Sequence, residues 1–147
     1  LPEDVLDEAP EEDAGAGTWS IQVVAAHLVD SHRRQVGRLR RIITEERPEI
    51  PSVDEWESLE ASGLLAEQTH VLVDTFAEER LTDLEWYASL DADALRRTGM
   101  HSVAGEVSAA EVLNHAAYHD SQHLGQIARL IEAFADRGRG NMRNAGP

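Results

Sequence analysis

A chain of 147 residues and 16.2 kDa is the size of one domain, and it can bury a real core without a disulfide staple. It has no cysteine, which excludes disulfide frameworks, cysteine nucleophiles, thiolate zinc sites and iron–sulfur clusters. Thirteen basic residues stand against 28 acidic ones, a formal charge of −15, and that field repels nucleic acid and anionic membranes. Mean hydropathy is −0.41, no apolar run approaches the roughly 18 residues of a membrane span, and no basic-then-apolar leader is visible. These features predict a soluble, acidic, cytoplasmic domain that acts on a small molecule.

In chain order, residues 1–17 read as an acidic flexible arm, with seven carboxylates between Glu3 and Asp13 and two prolines. The chain starts at Leu1 rather than Met, which leaves room for an upstream segment. A first helix is predicted after Ser20, an N-cap, and runs to about Glu46, where Pro48 and Pro51 stop it. Its apolar stripe is Ile21, Val24, Leu28, Val36, Leu39 and Ile43. A connector with a short turn at DEWESL follows. The second helix is expected from Leu64 to about Leu90, burying Leu65, Leu72, Val73, Phe76, Leu84 and Tyr87. An irregular stretch punctuated by Gly99 and Gly105 comes next. The third helix opens with the S-x-x-E capping box of Ser108 and Glu111 and continues to about Asp136, with Val112, Leu113, Ala116, Leu124, Ile127, Ile131 and Phe134 on its apolar side. No alternating strand pattern stands out, so the expected class is all-α. Residues 18–136 form the helical domain and 137–147 a flexible basic tail.

Seven histidines are present. His115, His119 and His123 recur at four-residue steps, which stack them on one helix face, and His27 and His32 lie on the first helix. A lone helix histidine is usually a hydrogen-bonded surface or core residue, the reading for His70 and His101. Three in a row are harder to account for that way. Imidazoles at i and i+4 can share one ion, and a third from a facing helix completes a three-ligand site with an open position. Periodicity alone favours His32 over His27, and His123 and His119 over His115, because of where each falls relative to the apolar stripes.

The combination TWSIQVVAAHLVDSH, DEWESL and EVLNHAAYHDSQHLGQI resembles the DinB-like superfamily, including the YfiT-type metal-dependent hydrolases, over about residues 18–132. That resemblance implies an up-down-down-up four-helix bundle with one divalent metal on three side chains. Residue by residue, it assigns the ligands to His27, His119 and His123, and so ranks His27 above His32. Zn or Ni heads the list of metals, with Fe, Cu or Mn also compatible. Asp30 and Gln126 are candidates to orient the imidazoles. Asp30 and His32 lead the candidates for a general acid or base, with Asp120 and His115 beside them, while Ser31 and Ser121 read as helix-surface residues. The implied chemistry is hydrolysis by activated water, or S-transfer or isomerisation with a low-molecular-weight thiol as co-substrate. The alternative is a non-enzymatic, metal-stabilised dimerisation or stress-response module. One departure from the family stands out: its first helix is short or missing here. An apolar groove left open in this way predicts a homodimer.

Overall fold

A computed structural model describes residues 1–10 and 18–146; the remainder of the predicted arm, 11–17, and Pro147 lie outside the described residues. The elements in order are α1 (Glu3–Leu6), α2 (Ile21–Thr44), β1 (Glu49–Ile50), α3 (Glu55–Ser62), a 3-10 turn (Leu64–Ala66), α4 (Thr69–Ala88), α5 (Ala92–Arg96), β2 (Thr98–His101), β3 (Gly105–Ser108), α6 (Ala109–Gly138) and a final 3-10 turn (Gly140–Ala145). The chain is predominantly helical, as its periodicity requires. Among the described residues, no helix is long and apolar enough to cross a membrane.

Helix α2 is the axis of the bundle, with α4 and α6 packed along it. The Ser20 hydroxyl caps it by accepting from Val23 N. From Ile21 to His32 all but Val23 are buried, so this segment has no solvent face. Three apolar clusters surround it. Ala25, Ala26 and Val29 meet Leu59, Leu64 and Leu72; Ile21 and Val24 meet Leu130 and Phe134; Leu39 and Ile42 meet Ile50, Ala109 and Val112. The described chain opens on a short helix. Its four residues in α1 place Val5 and Leu6 against the second cluster, and Glu3 Oε1 accepts from Thr69 N at the start of α4.

Helix α6 carries the expected capping box, in which Ser108 Oγ accepts from Glu111 N and the Glu111 carboxylate accepts from Ser108 N. At its far end, Arg137 pairs with Glu8 at 2.8 Å, and Gly140–Ala145 closes the described chain as a 3-10 turn.

Four expectations need correction. The DEWESL turn is a true helix, α3, capped by Asp54, whose carboxylate accepts from Trp56 N and Glu57 N. The second long helix begins at Thr69 rather than Leu64. Buried Gln22 donates to the carbonyls of Leu65 and Glu67, both at 3.0 Å, and that grip holds the preceding turn out of helical register. The irregular stretch contains strands: β1 pairs parallel with β2, and β2 antiparallel with β3. Strands of two to four residues are too short to show alternation. Gly99 is required there, since a Cβ would stand 3.1 Å from both Ile42 Cγ1 and Pro48 O. Finally, the apolar stripes are not uniformly covered. On α4 only Leu72 of the expected set is fully buried, while Val73 and Leu84 are exposed; on α6 Leu124 and Ile131 are exposed and Leu130 is buried.

Candidate metal centre

Three of the seven histidines converge where α2 and α6 cross. His27, His119 and His123 each offer a ring nitrogen, and these atoms lie within 4.8 Å of one another. His27 Nε2 is 3.0 Å from His119 Nε2. The ring centroids of His119 and His123 are 4.5 Å apart and those of His27 and His123 are 4.6 Å apart. The four-residue step on α6 presents two rings on one face, and the close packing of α2 brings the third.

The outer nitrogens are served differently. His123 Nδ1 donates to Gln126 Oε1 at 2.8 Å, which leaves its Nε2 as a lone pair. His119 Nδ1 is 3.5 Å from Ser31 Oγ and 3.8 Å from Asp120 Oδ1. Asp120 is itself held by Arg80. His27 Nδ1 is buried without a partner. Trp19 stands edge-on to His27 and stacks on His123, and Trp56 packs against Trp19, so an aromatic wall closes one side.

Burial lowers the pKa of His27 from 6.5 to about 3, helped by the neighbouring charges of His123, His119 and Arg34. His123 is also lowered, chiefly by burial and against the Gln126 hydrogen bond. His27 and His123 are therefore held toward the neutral form. One neutral tautomer places an Nε2 proton between His27 and His119, 3.0 Å apart, and a cation can take the place of that proton. Neutral imidazole is the form that binds transition metals, so the donor set fits a divalent ion.

The other candidates lie elsewhere. His32, though 2% exposed, bonds through Nε2 to Asp83 Oδ2 at 3.0 Å and packs edge-on against Phe76. Asp30 accepts from Arg34 Nε and from Ser58 Oγ, tying α2 to α3. Neither carboxylate nor imidazole at these two positions joins the cluster among the described residues. His115 is exposed, its ring centroid 6.3 Å from that of His119, and with His101 it lines a separate cleft. His70 is exposed on α4. Ser121 is at the surface, as expected, donating to Tyr118 O. Ser31 is not: it is 3% exposed and faces His119. Its signal was the run from Val24 to His32, buried on every side, which a single-stripe wheel hides.

A model of the DinB superfamily matches residues 1–127. The chain belongs to the DinB superfamily. Curated DinB relatives include the Oceanobacillus iheyensis protein named "Putative metal-dependent hydrolase OB0413", 27% identical over 113 residues that cover 76% of this chain and 64% of that one. A Bacillus mycoides protein with the same form of name is 30% identical over 118 residues, covering 79% and 66% respectively. The chain thus spans about two thirds of the length of these relatives. Among solved structures, it is similar to YfiT from Bacillus subtilis, described as "a probable metal-dependent hydrolase with an unusual four-helix bundle topology". The TM-score is 0.79 at 22% identity, covering 92% of this chain and 75% of that one. This likeness establishes that the DinB chain has that bundle fold.

Proposed function

We propose that this chain is a metal-dependent hydrolase in which His27, His119 and His123 hold one divalent cation. The observation that carries the reading is the convergence of three imidazoles from two helices, with His123 already oriented by Gln126. The names of the curated relatives support the same chemistry. A cation held there supplies Lewis acidity, lowering the pKa of a coordinated water, or of a thiol co-substrate, toward neutrality.

The chain's own residues do the rest. Gln126 fixes the His123 ring, and Ser31 and Asp120 face the outer nitrogen of His119. The Trp19–Trp56 wall keeps bulk water off one side, which strengthens electrostatics within the cluster. A shallow depression of about 310 Å³ bounded by Thr18, Trp19, His123 and Gln126 gives one approach from solvent. Asp120, 3.8 Å from His119 Nδ1 and paired with Arg80, lies beside the outer nitrogen of that ring and helps to orient it. The donor set suits Zn or Ni first and accommodates Fe, Cu or Mn. Hydrolysis is the primary reading and thiol-dependent transfer the second, distinguished by whether turnover requires a low-molecular-weight thiol. Elemental analysis of untagged protein, purified without added metal, should give one equivalent of a divalent ion per chain. Full metal content retained by both His119→Ala and His123→Ala would refute the assignment.

The homodimer belongs to the same proposal. Leu81 and Leu84 on α4, and Tyr118, Leu124 and Ile131 on α6, are exposed apolar side chains. A second copy can cover them. Light scattering in 0.15 M salt should report a dimer; a well-folded monomer at tens of micromolar overturns this part alone.

A further inference from the structure

Next to the histidine cluster, but distinct from it, is a cleft of about 250 Å³ between α2, the sheet and the start of α6. Its walls are mainly apolar, formed by Ile50, Val107 and Val112. Its polar groups converge and are short of partners. Gln35 is only 7% exposed, yet its side-chain amide has no hydrogen bond among the described residues. Its polar atoms are not among the sealed, unmatched ones of the described residues, so the amide reaches the cleft, where it can bond a ligand or water.

Arg38, one turn along α2, donates to Pro51 O at 3.4 Å and forms no ion pair among the described residues. That is unusual for a chain whose acidic residues outnumber basic ones 28 to 13. His101 Nδ1 accepts from Val103 N and Ala104 N, so its proton sits on Nε2 as a third donor.

The charges facing Arg38 have been met in part. Glu55 attracts it and Arg34 repels it, while the Glu111 carboxylate at the rim is engaged by the N–H and hydroxyl of Ser108. The first turn of the long helix α6 also opens onto the cleft, and its dipole favours an anion. His115 lines the far side, with His119 one helical turn, roughly 6 Å, beyond it.

We infer that this cleft binds the carboxylate end of a small ligand with an aliphatic or aryl body. Arg38, Gln35 and His101 hold the carboxylate, Ile50, Val107 and Val112 hold the body, and His115 marks the passage toward the histidine cluster. A planar guanidinium in apolar surroundings binds a carboxylate through charge-assisted hydrogen bonds far better than it binds a neutral oxygen. Assigning this ligand as the substrate rests on the metal-dependent reading above; its binding does not.

The test is a titration of the isotope-labelled 147-residue chain with hexanoate, hexanol and hexylamine, followed by nuclear magnetic resonance. Hexanoate should shift the Ile50, Val107 and Val112 signals saturably, and bind at least about tenfold tighter than the other two, a difference of about 1.4 kcal/mol. Arg38→Gln should remove that preference. Gln35→Leu should leave the melting temperature nearly unchanged, yet weaken hexanoate several-fold. Equal binding of the three probes, no binding of hexanoate at 10 mM (about 2.7 kcal/mol of affinity), or unchanged affinity in both variants would overturn the inference. Repeating the titration after chelation separates it from the metal reading. Persisting cleft shifts support it whether or not the cluster holds metal. Loss of binding, with the helical circular dichroism intact, would assign the carboxylate to the metal and overturn the cleft.

Discussion

His27 and His32 sit five residues apart on α2, both buried, and meet opposite fates. His32 faces a carboxylate. Asp83 accepts a hydrogen bond from its Nε2 at 3.0 Å and is anchored on its other oxygen by Arg40 at 3.3 Å. Burial and Arg80 lower the pKa of His32 while Asp83 raises it, and burial prevails, so a neutral ring donates to a shared anion. His27 faces two other imidazoles and no carboxylate within the cluster. The first arrangement matches Nε2 with a carboxylate, while Nδ1 is buried without a partner among the described residues. The second sets ring nitrogens against one another, three ligand atoms close enough to share one cation. Burial of a histidine is therefore not what identifies a ligand; the chemistry of the group opposite does.

The sharpest way to break this contrast is to remove one histidine from each place. His119→Ala or His123→Ala should abolish stoichiometric metal binding, while His32→Ala should keep it, as read by elemental analysis after desalting. Metal lost from His32→Ala would merge the two environments into one site.

Acid provides the next largest effect. The folded state lowers the pKa of His27 to about 3, whereas in the unfolded chain it titrates near 6.5. The unfolded state therefore takes up the proton first. Stability from this residue is fully present above about 6.5 and is lost as pH falls toward 3, at about 1.4 kcal/mol per pH unit at most. Urea melts of chelated protein between pH 7 and 4 should show that decline. With metal bound, protons also compete for the ring nitrogens, so the melting gap between metal-loaded and chelated samples should narrow over the same range. A constant gap would exclude histidine as the main ligand type.

Gln126→Ala sharpens the comparison further by removing the acceptor that orients His123. Metal affinity should fall roughly 10–100-fold, the usual cost of losing such a partner. Gln126→Glu, which keeps an acceptor oxygen, should recover most of it in a competition titration with a chromogenic chelator. The smallest change expected is in the stability of His32→Ala. Asp83 loses one donor but keeps Arg40, so the penalty should be near the lower end of about 1–3 kcal/mol by urea denaturation, at constant metal content.

The apolar faces show where sequence patterning stopped being informative. On α4, the three- and four-residue spacing of Val73 and Leu84 looks like that of buried Leu72 and half-buried Phe76, yet both are exposed. A wheel shows that a face is apolar but not whether a neighbour arrives to cover it. The same ambiguity led to Ser31 being read as surface and α2 as single-striped. Its N-terminal half is instead enclosed by α3, α4, α6 and the small helix α1.

By itself, the sequence determined the helical class, the caps at Ser20 and Ser108, and the stacking of His119 and His123. All of these rest on interactions within a few residues of chain, where spacing is geometry. The resemblance to DinB proteins, not periodicity, singled out His27. Only the tertiary structure decided the remainder. It set His27 against His119 across 92 residues, paired His32 with Asp83, drew Ser31 inward, placed Asp30 in a tie to Ser58, and built a sheet from strands too short to announce themselves. Each of these depends on which helix faces packed together, and that choice follows from burying the whole apolar surface at once rather than from any local run of residues.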